Sequence, residues 1–278
     1  DHYLPLGDLV PEHVVPLDWY TPKTPLGKLR PAYWNMAAKL AAMDEHCRRC
    51  AEQMAGAGFD ILLAGSCYIF STTSIGRQVD FPSVLYLQEP NRAMYEALPE
   101  LIWAAPKFAG SVWKPTNLRR LLANNARVLM MRSKVRAEID NAAAYDRILV
   151  NSYFSRESVL RSYGLDAHVC YLGVDADHFP DRGQPRQRFV IGVGAINPRK
   201  NIEFVIDALR LMPEPPPLVW VGNAAGPAYW TALQGQARSR GVTLRLQVNV
   251  SDAELVDLLN RAAAMVYAPR LEPFGYAP

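Results

Sequence analysis

The sequence has little of what marks several large classes of protein. It contains only four cysteines, too few and too scattered for a disulfide-stabilised domain, so we expect a reducing compartment and a cytoplasmic protein. No apolar run is long enough for a membrane-spanning helix, which takes about 18 residues or more. The net charge is only +3, with 21% charged residues, so no nucleic-acid partner is predicted.

Motifs for several kinds of chemistry are absent as well. No predicted strand is followed by Gly-x-Gly-x-x-Gly, which disfavours hydride transfer with a dinucleotide cofactor, and no Walker loop is present. Cys47 and Cys50 lie close together in a predicted helix, but zinc needs four ligands and no matching pair follows. We therefore predict no metal site and no permanently bound cofactor.

Hydrophobic patterning divides the sequence into two halves that join near residue 180. Residues 1–31 are rich in proline and are predicted to form a loop. The first half then has predicted helices and strands at 32–56, 59–65, 82–87, 116–144, 146–152 and 168–172. The second half has strands at 189–195, 218–222, 242–248 and 264–268, which alternate with helices at 201–212, 228–239 and from Ser251 onward.

Strands that alternate with helices indicate a parallel sheet covered on both faces. We therefore predict an α/β protein with two Rossmann-like domains, residues 1–175 and 176–278. The apolar run 59–65 is expected to be a strand buried on both sides, and Ser251 and Glu254 are expected to form a capping box. An open α/β domain usually begins with a strand and a glycine turn. Both domains are expected to be incomplete, the first lacking its first strand and the second its final helices.

The first strand of the second predicted domain runs through glycine into a helix, with the sequence Gly192-Val193-Gly194-Ala195-Ile196-Asn197-Pro198-Arg199-Lys200. Such a turn directs free backbone N–H groups and the positive end of the helix toward an anion, and Arg199 and Lys200 add positive charge. The turn is either a phosphate site or an ordinary connection with surface cations. Taken alone, it does not decide between the two.

Glu272 follows the last predicted strand, within Leu271-Glu272-Pro273-Phe274-Gly275-Tyr276. Ligands of open α/β sheets bind at the carboxyl edge, where Lys200 is also predicted to lie. A carboxylate there can accept hydrogen bonds from sugar hydroxyls, and Gly275 allows the backbone to approach a ligand closely. A surface glutamate in a turn is the alternative, but the full string is far more specific than a lone glutamate and favours a functional site.

The string Glu-Pro-Phe-Gly at 272–275 resembles the start of the donor-sugar motif of family-four retaining glycosyltransferases, which have the GT-B fold. The resemblance extends over residues 189–278, and Gly173-Val174-Asp175 is similar to the family's hinge. It implies two Rossmann-like domains in a GT-B arrangement, with the acceptor-side domain first and the donor-binding domain second. It also implies a second glutamate just past Pro278, so we expect the chain to be inactive by itself.

The resemblance further implies how a nucleoside diphosphate sugar would be held, without specifying its base. Lys200 would contact the diphosphate, and Glu272 would accept hydrogen bonds from the sugar. The backbone at 274–276 would lie by the phosphates and sugar, and the turn at 248–250 beside the nucleobase. Transfer would be metal-independent, with retention at the anomeric carbon. The predicted donor-site residues are Gly194, Arg199, Lys200, Asn249, Val250, Glu272, Phe274, Gly275 and Tyr276.

Two positions depart from the family pattern. Ala195 stands where the family commonly has arginine, and Arg199 is expected to supply the missing charge. The segment from Leu87 to Arg92 resembles a His-Glu-Pro-x-Arg pattern that faces the donor sugar, with Gln88 in place of histidine. Gln88 can bind a hydroxyl but cannot act as an acid or base, and with Glu272 it is the predicted catalytic position. Glu89 is expected to hold Arg92 rather than act as a general base.

The predicted helix 117–136 carries six Lys or Arg residues and no acidic residue, together with several leucines. Two interpretations are open. One is contact with an anionic membrane or an acidic acceptor, and the other is an ordinary solvated helix with an apolar core face. The basic residues are spread around the helix, which favours the second interpretation.

The predicted function is transfer of a hexose from a nucleoside diphosphate sugar to a hydroxyl of a carbohydrate or lipid-linked acceptor. We expect it in the cytoplasm, with the inner face of the membrane as a further location. Bacterial members of the family often build surface polysaccharide or glycolipid. The alternatives are a sugar phosphorylase or epimerase of the same fold, and a degenerate glycosyltransferase that binds a nucleotide sugar or a partner without catalysis.

Overall fold

The computed structural model describes residues 10–18, 32–96, 101–108, 110–111, 113–223 and 226–278, so most of the proline-rich segment 1–31 lies outside the described residues. Two compact units divide the chain, Asp1–Tyr171 and Leu172–Pro278. Among the described residues, each unit contains one four-stranded sheet in which all neighbouring strands are parallel. The predicted α/β fold with parallel sheets is therefore confirmed.

The first unit has the strand order β1-β2-β3-β4. Leu85 and Leu87 on β2 and Val150 on β3 are fully buried and pack with Val159 of the helix that follows β3. The elements of this unit are α1 (Ala32–Met54), β1 (Leu62–Gly65), a 3-10 helix (Ser74–Arg77), β2 (Ser83–Gln88), α2 (Arg92–Tyr95), α3 (Pro115–Ala142), β3 (Arg147–Val150), α4 (Tyr153–Tyr163) and β4 (His168–Val169).

The second unit has the strand order β7-β6-β5-β8. Its elements are β5 (Gln187–Val193), a 3-10 helix (Pro198–Lys200), α5 (Ile202–Leu209), β6 (Leu218–Gly222), α6 (Pro227–Ser239), β7 (Leu244–Val248), α7 (Asp252–Arg261) and β8 (Ala262–Met265). The expected capping box of Ser251 and Glu254 is present at the start of α7.

The central strands of the second sheet are covered on both faces. On one face Trp220 packs with Ile202 and Ile206 of α5 and with Leu233 of α6, and on the other Ile191 packs against α7. Burial on both faces explains why β5 and β6 are continuous apolar runs rather than alternating ones. All four strands end at one carboxyl edge, which is where ligands of such sheets bind.

Two predictions about individual strands are corrected. The run 59–65 is not buried on both sides, because β1 spans only Leu62–Gly65, lies at the edge of the sheet and leaves Leu63 67% exposed. The last strand, β8, begins at Ala262 rather than Ala264 and ends at Met265. Proline at 269 has no N–H to offer a ladder, so the chain from there to Glu272 is irregular.

A buried carboxylate lies in the first unit. Glu138 on α3 is 1% exposed and accepts hydrogen bonds from the hydroxyl of Tyr163 and, at 3.4 Å, from the backbone N–H of Asn91. Burial raises the pKa of this carboxyl, while the Tyr163 hydroxyl and the nearby Lys134 act in the opposite direction. The bond to Asn91 ties α3 to the segment that follows β2.

We expect Glu138→Gln to make the protein more stable at neutral pH, because burial raises the pKa of the Glu138 carboxyl and so disfavours its ionised form in the folded protein. The folded state holds the proton more tightly than the unfolded state, so ionisation above the ordinary glutamate pKa costs stability. The advantage of the variant should therefore shrink as the pH is lowered toward about 4. Urea unfolding between pH 4 and 8 measures this difference.

The matched control is Asp140→Asn, which removes a more exposed carboxylate from the same helix and should change the stability by no more than about 0.5 kcal/mol. A Glu138→Gln variant that is less stable at every pH would contradict the prediction, because the carboxylate's hydrogen bonds would then outweigh its burial.

Candidate functional site

The carboxyl edge of the second sheet brings together most of the residues predicted from the sequence. The loops after its strands are tied to one another by backbone hydrogen bonds. Gly194 N–H donates to Val221 O at 2.9 Å, and Asn249 N–H donates to Gly222 O at 3.2 Å. These bonds place the turns after β5 and β7 beside the end of β6.

The glycine turn after β5 is shaped by close contacts that exclude side chains. Gly194 has φ +142°, a conformation that favours glycine, and its carbonyl accepts a hydrogen bond of 2.9 Å from Trp220 Nε1. A Cβ added at Gly222 would lie 2.5 Å from the same carbonyl oxygen. Glycine at both positions therefore lets the two strand ends approach each other.

A short 3-10 turn then sets the position of Lys200. Asn197 Oδ1 accepts from Arg199 N–H at 3.0 Å, and Asn197 O accepts from Lys200 N–H at 3.1 Å. Asn201 has φ +58° and precedes the fully buried Ile202, the first residue of α5. Hydrophobic burial of α5 thus anchors the turn that carries both predicted cations.

The structure joins the two predicted motifs directly. Lys200 Nζ lies 2.5 Å from Glu272 Oε2, and the two side chains are only 22% and 23% exposed. The residues are 72 positions apart in sequence and come from the loops after β5 and β8, which are neighbouring strands. Because the pair is partly buried, water and salt screen its attraction less than they would screen that of an exposed pair.

The segment after Glu272 is held by aromatic residues. Gly275 has φ +79°, and a Cβ there would lie 3.0 Å from Tyr267 Oη. The Phe274 and Tyr276 rings are 6.1 Å apart, and Tyr276 Oη donates to Gly173 O at 2.6 Å. The side chain of Tyr276 thus fastens the end of the chain to the first residues of the second unit, a role that the sequence prediction missed.

Arg270 is a second residue that the sequence prediction missed. Its backbone N–H donates to Arg199 O at 3.3 Å, and its Nε donates to Asn201 Oδ1 at 3.4 Å. It therefore links the chain before Glu272 to the turn that carries Lys200. The sequence shows a cation two positions before Glu272, but its pattern does not indicate which turn Arg270 contacts.

The turn after β7 contributes in two different ways. Asn249 has φ +54° and is exposed at the carboxyl edge. The side chain of Val250 packs into the core cluster against β5 and α7. The turn therefore combines one exposed polar side chain with one partly buried apolar side chain.

The predicted catalytic position Gln88 belongs to the first unit. It is exposed at the carboxyl end of β2, where the strand register shifts, and has φ +65°. Its carbonyl accepts from Asn151 N–H at 3.2 Å. Glu89 forms an ion pair with Arg92 at 2.9 Å, the contact expected for it.

No group of three or more His, Cys, Asp or Glu side chains that could hold a metal ion is present in the described part of the chain. Cys47 is buried in a small core cluster with Met43 and Phe70. The pair of cysteines on α1 therefore includes one core residue.

We expect Gly222→Ala to destabilise the protein by about 1–3 kcal/mol, because the new methyl group would overlap the Gly194 carbonyl oxygen and force backbone shifts. The control is Gly235→Ala in the middle of α6, where a Cβ meets no atom within 4 Å. That change should instead stabilise by up to about 1 kcal/mol through helix propensity. Chemical denaturation of both variants measures the contrast, and equal effects would contradict it.

No protein-family model and no curated protein matches the chain. Solved structures do match. Anabaena HepE in complex with UDP and glucose has a TM-score of 0.56 at 16% identity, with 91% of this chain and 60% of that chain covered. A glycosyltransferase from Rickettsia africae has a TM-score of 0.53 at 12% identity, with 90% and 58% covered.

The lipopolysaccharide outer core galactosyltransferase WaaB, in its apo form, has a TM-score of 0.50 at 12% identity, with 85% of this chain and 57% of that chain covered. The chain thus spans about three fifths of the length of these proteins. At this level of identity the likeness concerns the fold. The mixed α/β fold with parallel sheets matches that of GT-B glycosyltransferases.

Proposed function

We propose that the chain carries the donor site of an enzyme that moves a hexose from a nucleoside diphosphate sugar to an acceptor hydroxyl with retention of configuration. The observation that carries the proposal is the contact of Lys200 with Glu272 at the carboxyl edge of the second sheet, beside the Gly194 turn. A cation for a diphosphate and a carboxylate for sugar hydroxyls stand next to each other there. Among the similar folds, HepE was solved with UDP and with UDP-glucose, which supports a nucleotide sugar as the ligand class.

Each part of this edge has a role in the proposal. Lys200 and Arg199 stabilise the charge that develops on the leaving diphosphate, and preorganised charges of this kind are usually the largest catalytic contribution. Glu272 orients the sugar by accepting hydrogen bonds from its hydroxyls. The backbone at Gly194 and Gly275 approaches the phosphates closely, because neither residue has a side chain. The turn at Asn249 and Val250 lies beside the base.

The first unit is proposed to bind the carbohydrate or lipid-linked acceptor. Gln88 would hydrogen-bond a sugar hydroxyl through its amide and would leave its protonation state unchanged during transfer. Its backbone is left-handed, and its carbonyl accepts a hydrogen bond from Asn151 N–H. Chemistry would then depend on the donor phosphate and on fixed charges rather than on a protein base.

A second candidate is binding of a nucleotide sugar without catalysis. It is favoured by two residues, Ala195 in place of an arginine and Gln88 in place of a histidine. Both proposals require donor binding, and only the first requires release of a free nucleoside diphosphate. A coupled assay for that release by the full-length protein, with and without mixed acceptors, distinguishes them.

We expect calorimetry to detect binding of UDP and UDP-glucose, and Lys200→Met to weaken the binding of both at least about tenfold. A charge-assisted contact of the kind lost here contributes about 1.5–3 kcal/mol. The matched control is Arg238→Met, which removes a cation from the last turn of α6. Equal loss in both variants would indicate a general charge effect, and no loss in Lys200→Met would contradict the assigned role.

We further propose that α3 contacts an anionic membrane surface. Leu118, Leu122 and Leu129 are 38%, 62% and 50% exposed, and their spacing places them on one face of the helix. Arg132 and Arg136 continue the same face and are exposed. Apolar side chains in line with arginines fit a peripheral contact with acidic headgroups. Within the described residues no helix is both long and apolar enough to cross a bilayer.

We expect the protein to sediment with vesicles that contain phosphatidylglycerol, and much less with pure phosphatidylcholine. Replacing Leu122 and Leu129 with serine should weaken vesicle binding at least about tenfold, since each buried leucine contributes on the order of 1.5–3 kcal/mol. The control is Leu160→Ser on α4, which removes a leucine that is 57% exposed in the same unit. An equal loss with that control, or no sedimentation of the unaltered protein, would contradict the proposal.

A further inference from the structure

The residues proposed to hold the diphosphate and the sugar of the donor form an ion pair with each other. Lys200 Nζ and Glu272 Oε2 are 2.5 Å apart, and each side chain is less than one quarter exposed. Part of the positive charge offered to a diphosphate is therefore already neutralised by the carboxylate. A ligand that reaches Lys200 also comes close to Glu272.

The backbone of Lys200 and the aliphatic part of its side chain are both held by neighbouring residues. Its backbone N–H is bonded to Asn197 O, and the carbonyl of Arg199 is bonded to Arg270 N–H. The aliphatic part of its side chain lies against Gly194, where an added Cβ would be 3.1 Å from Lys200 Cε. A phosphate that reaches Lys200 in this position would share the ammonium group with the carboxylate.

This arrangement affects two ligands in opposite ways. A nucleoside diphosphate without sugar brings negative charge to Lys200 and leaves Glu272 facing that charge, which is repulsive in a partly buried site. A nucleoside diphosphate sugar brings hydroxyl groups that donate hydrogen bonds to Glu272 and compensate the repulsion. The same carboxylate thus favours the sugar-bearing ligand and disfavours the bare diphosphate.

We infer that Glu272 is a specificity-determining residue that weakens binding of the product nucleoside diphosphate relative to the sugar donor, and so promotes product release. The inference rests on the proposed function, because it assumes that this edge binds a nucleotide sugar. A residue that only held the loop after β8 would affect the two ligands alike. The affinity ratio of the two ligands therefore separates a specificity role from a structural role.

The experiment measures the affinities of UDP and UDP-glucose by calorimetry for the unaltered chain and for Glu272→Gln, which keeps the shape and removes the charge. We expect Glu272→Gln to bind UDP roughly fivefold more tightly, which corresponds to the loss of about 1 kcal/mol of charge repulsion. We expect the same variant to bind UDP-glucose more weakly. The gain for UDP should shrink as the salt concentration rises, because screening weakens the repulsion that is lost.

Two further variants serve as controls. Glu214→Gln removes a glutamate of the same unit that is paired with Arg188 at 2.7 Å on the surface, and it should change neither affinity. Glu272→Asp keeps the charge while shortening the side chain, so it should not gain affinity for UDP even if its sugar contact is lost. Thermal unfolding of each variant shows whether the fold is retained.

The outcomes distinguish the inference from the proposed function. The specificity role is wrong if the unaltered chain binds both ligands but Glu272→Gln binds UDP no more tightly. It is also wrong if Glu272→Asp gains as much affinity for UDP as Glu272→Gln. In either case the proposed donor site is not contradicted. If the unaltered chain binds neither UDP nor UDP-glucose, the proposed function itself is wrong.

Discussion

The packing of Trp220 against Gly192 of β5 and the Gly194 turn is the constraint on which the second unit depends. Trp220 is 2% exposed, and a Cβ at Gly192 would lie 2.3 Å from a carbon of its ring. Its indole N–H donates to Gly194 O at 2.9 Å, so the apolar side chain that fills the core also fixes the turn at the edge of the sheet. Because that turn leads directly to Lys200, the position of the predicted phosphate contact follows from core packing rather than from the polar residues themselves.

The charged side chains discussed in the two units differ in how deeply they are buried. Glu138 is buried within the first unit, where desolvation raises its pKa and hydrogen bonds from Tyr163 and Asn91 offset part of the cost. Lys200 and Glu272 instead sit at a partly exposed edge, where each compensates the charge of the other. A buried carboxylate that is fully surrounded by protein suits a structural link, whereas a pair at an open edge remains accessible to a ligand. The difference in burial is the physical reason to look for chemistry at the second site.

Much of the fold could be predicted because local patterns carried it. The apolar runs of β5 and β6 and the Ser251–Glu254 box each depend on residues close in sequence, and they lie where the patterns indicated. The edge position of β1 could not be predicted, because an apolar run has the same appearance whether a neighbouring strand covers it or not. The contacts of Arg270 and of the Tyr276 hydroxyl were missed for a related reason. Each joins segments that are distant in sequence, at 69 and 103 positions.

The sequence by itself determined the α/β alternation, the glycine turn at Gly194 and the Glu-Pro-Phe-Gly string that made a sugar-donor site worth testing. Those features depend on side-chain periodicity, on backbone conformations open only to glycine and on short motifs, all of which are local. Only the tertiary structure decided that Lys200 and Glu272 would meet at 2.5 Å, because β5 and β8 are neighbours in a sheet whose order differs from the order of the chain. Strand order is set by how the helices cover the two faces of the sheet, and that is a property of the whole unit rather than of any segment.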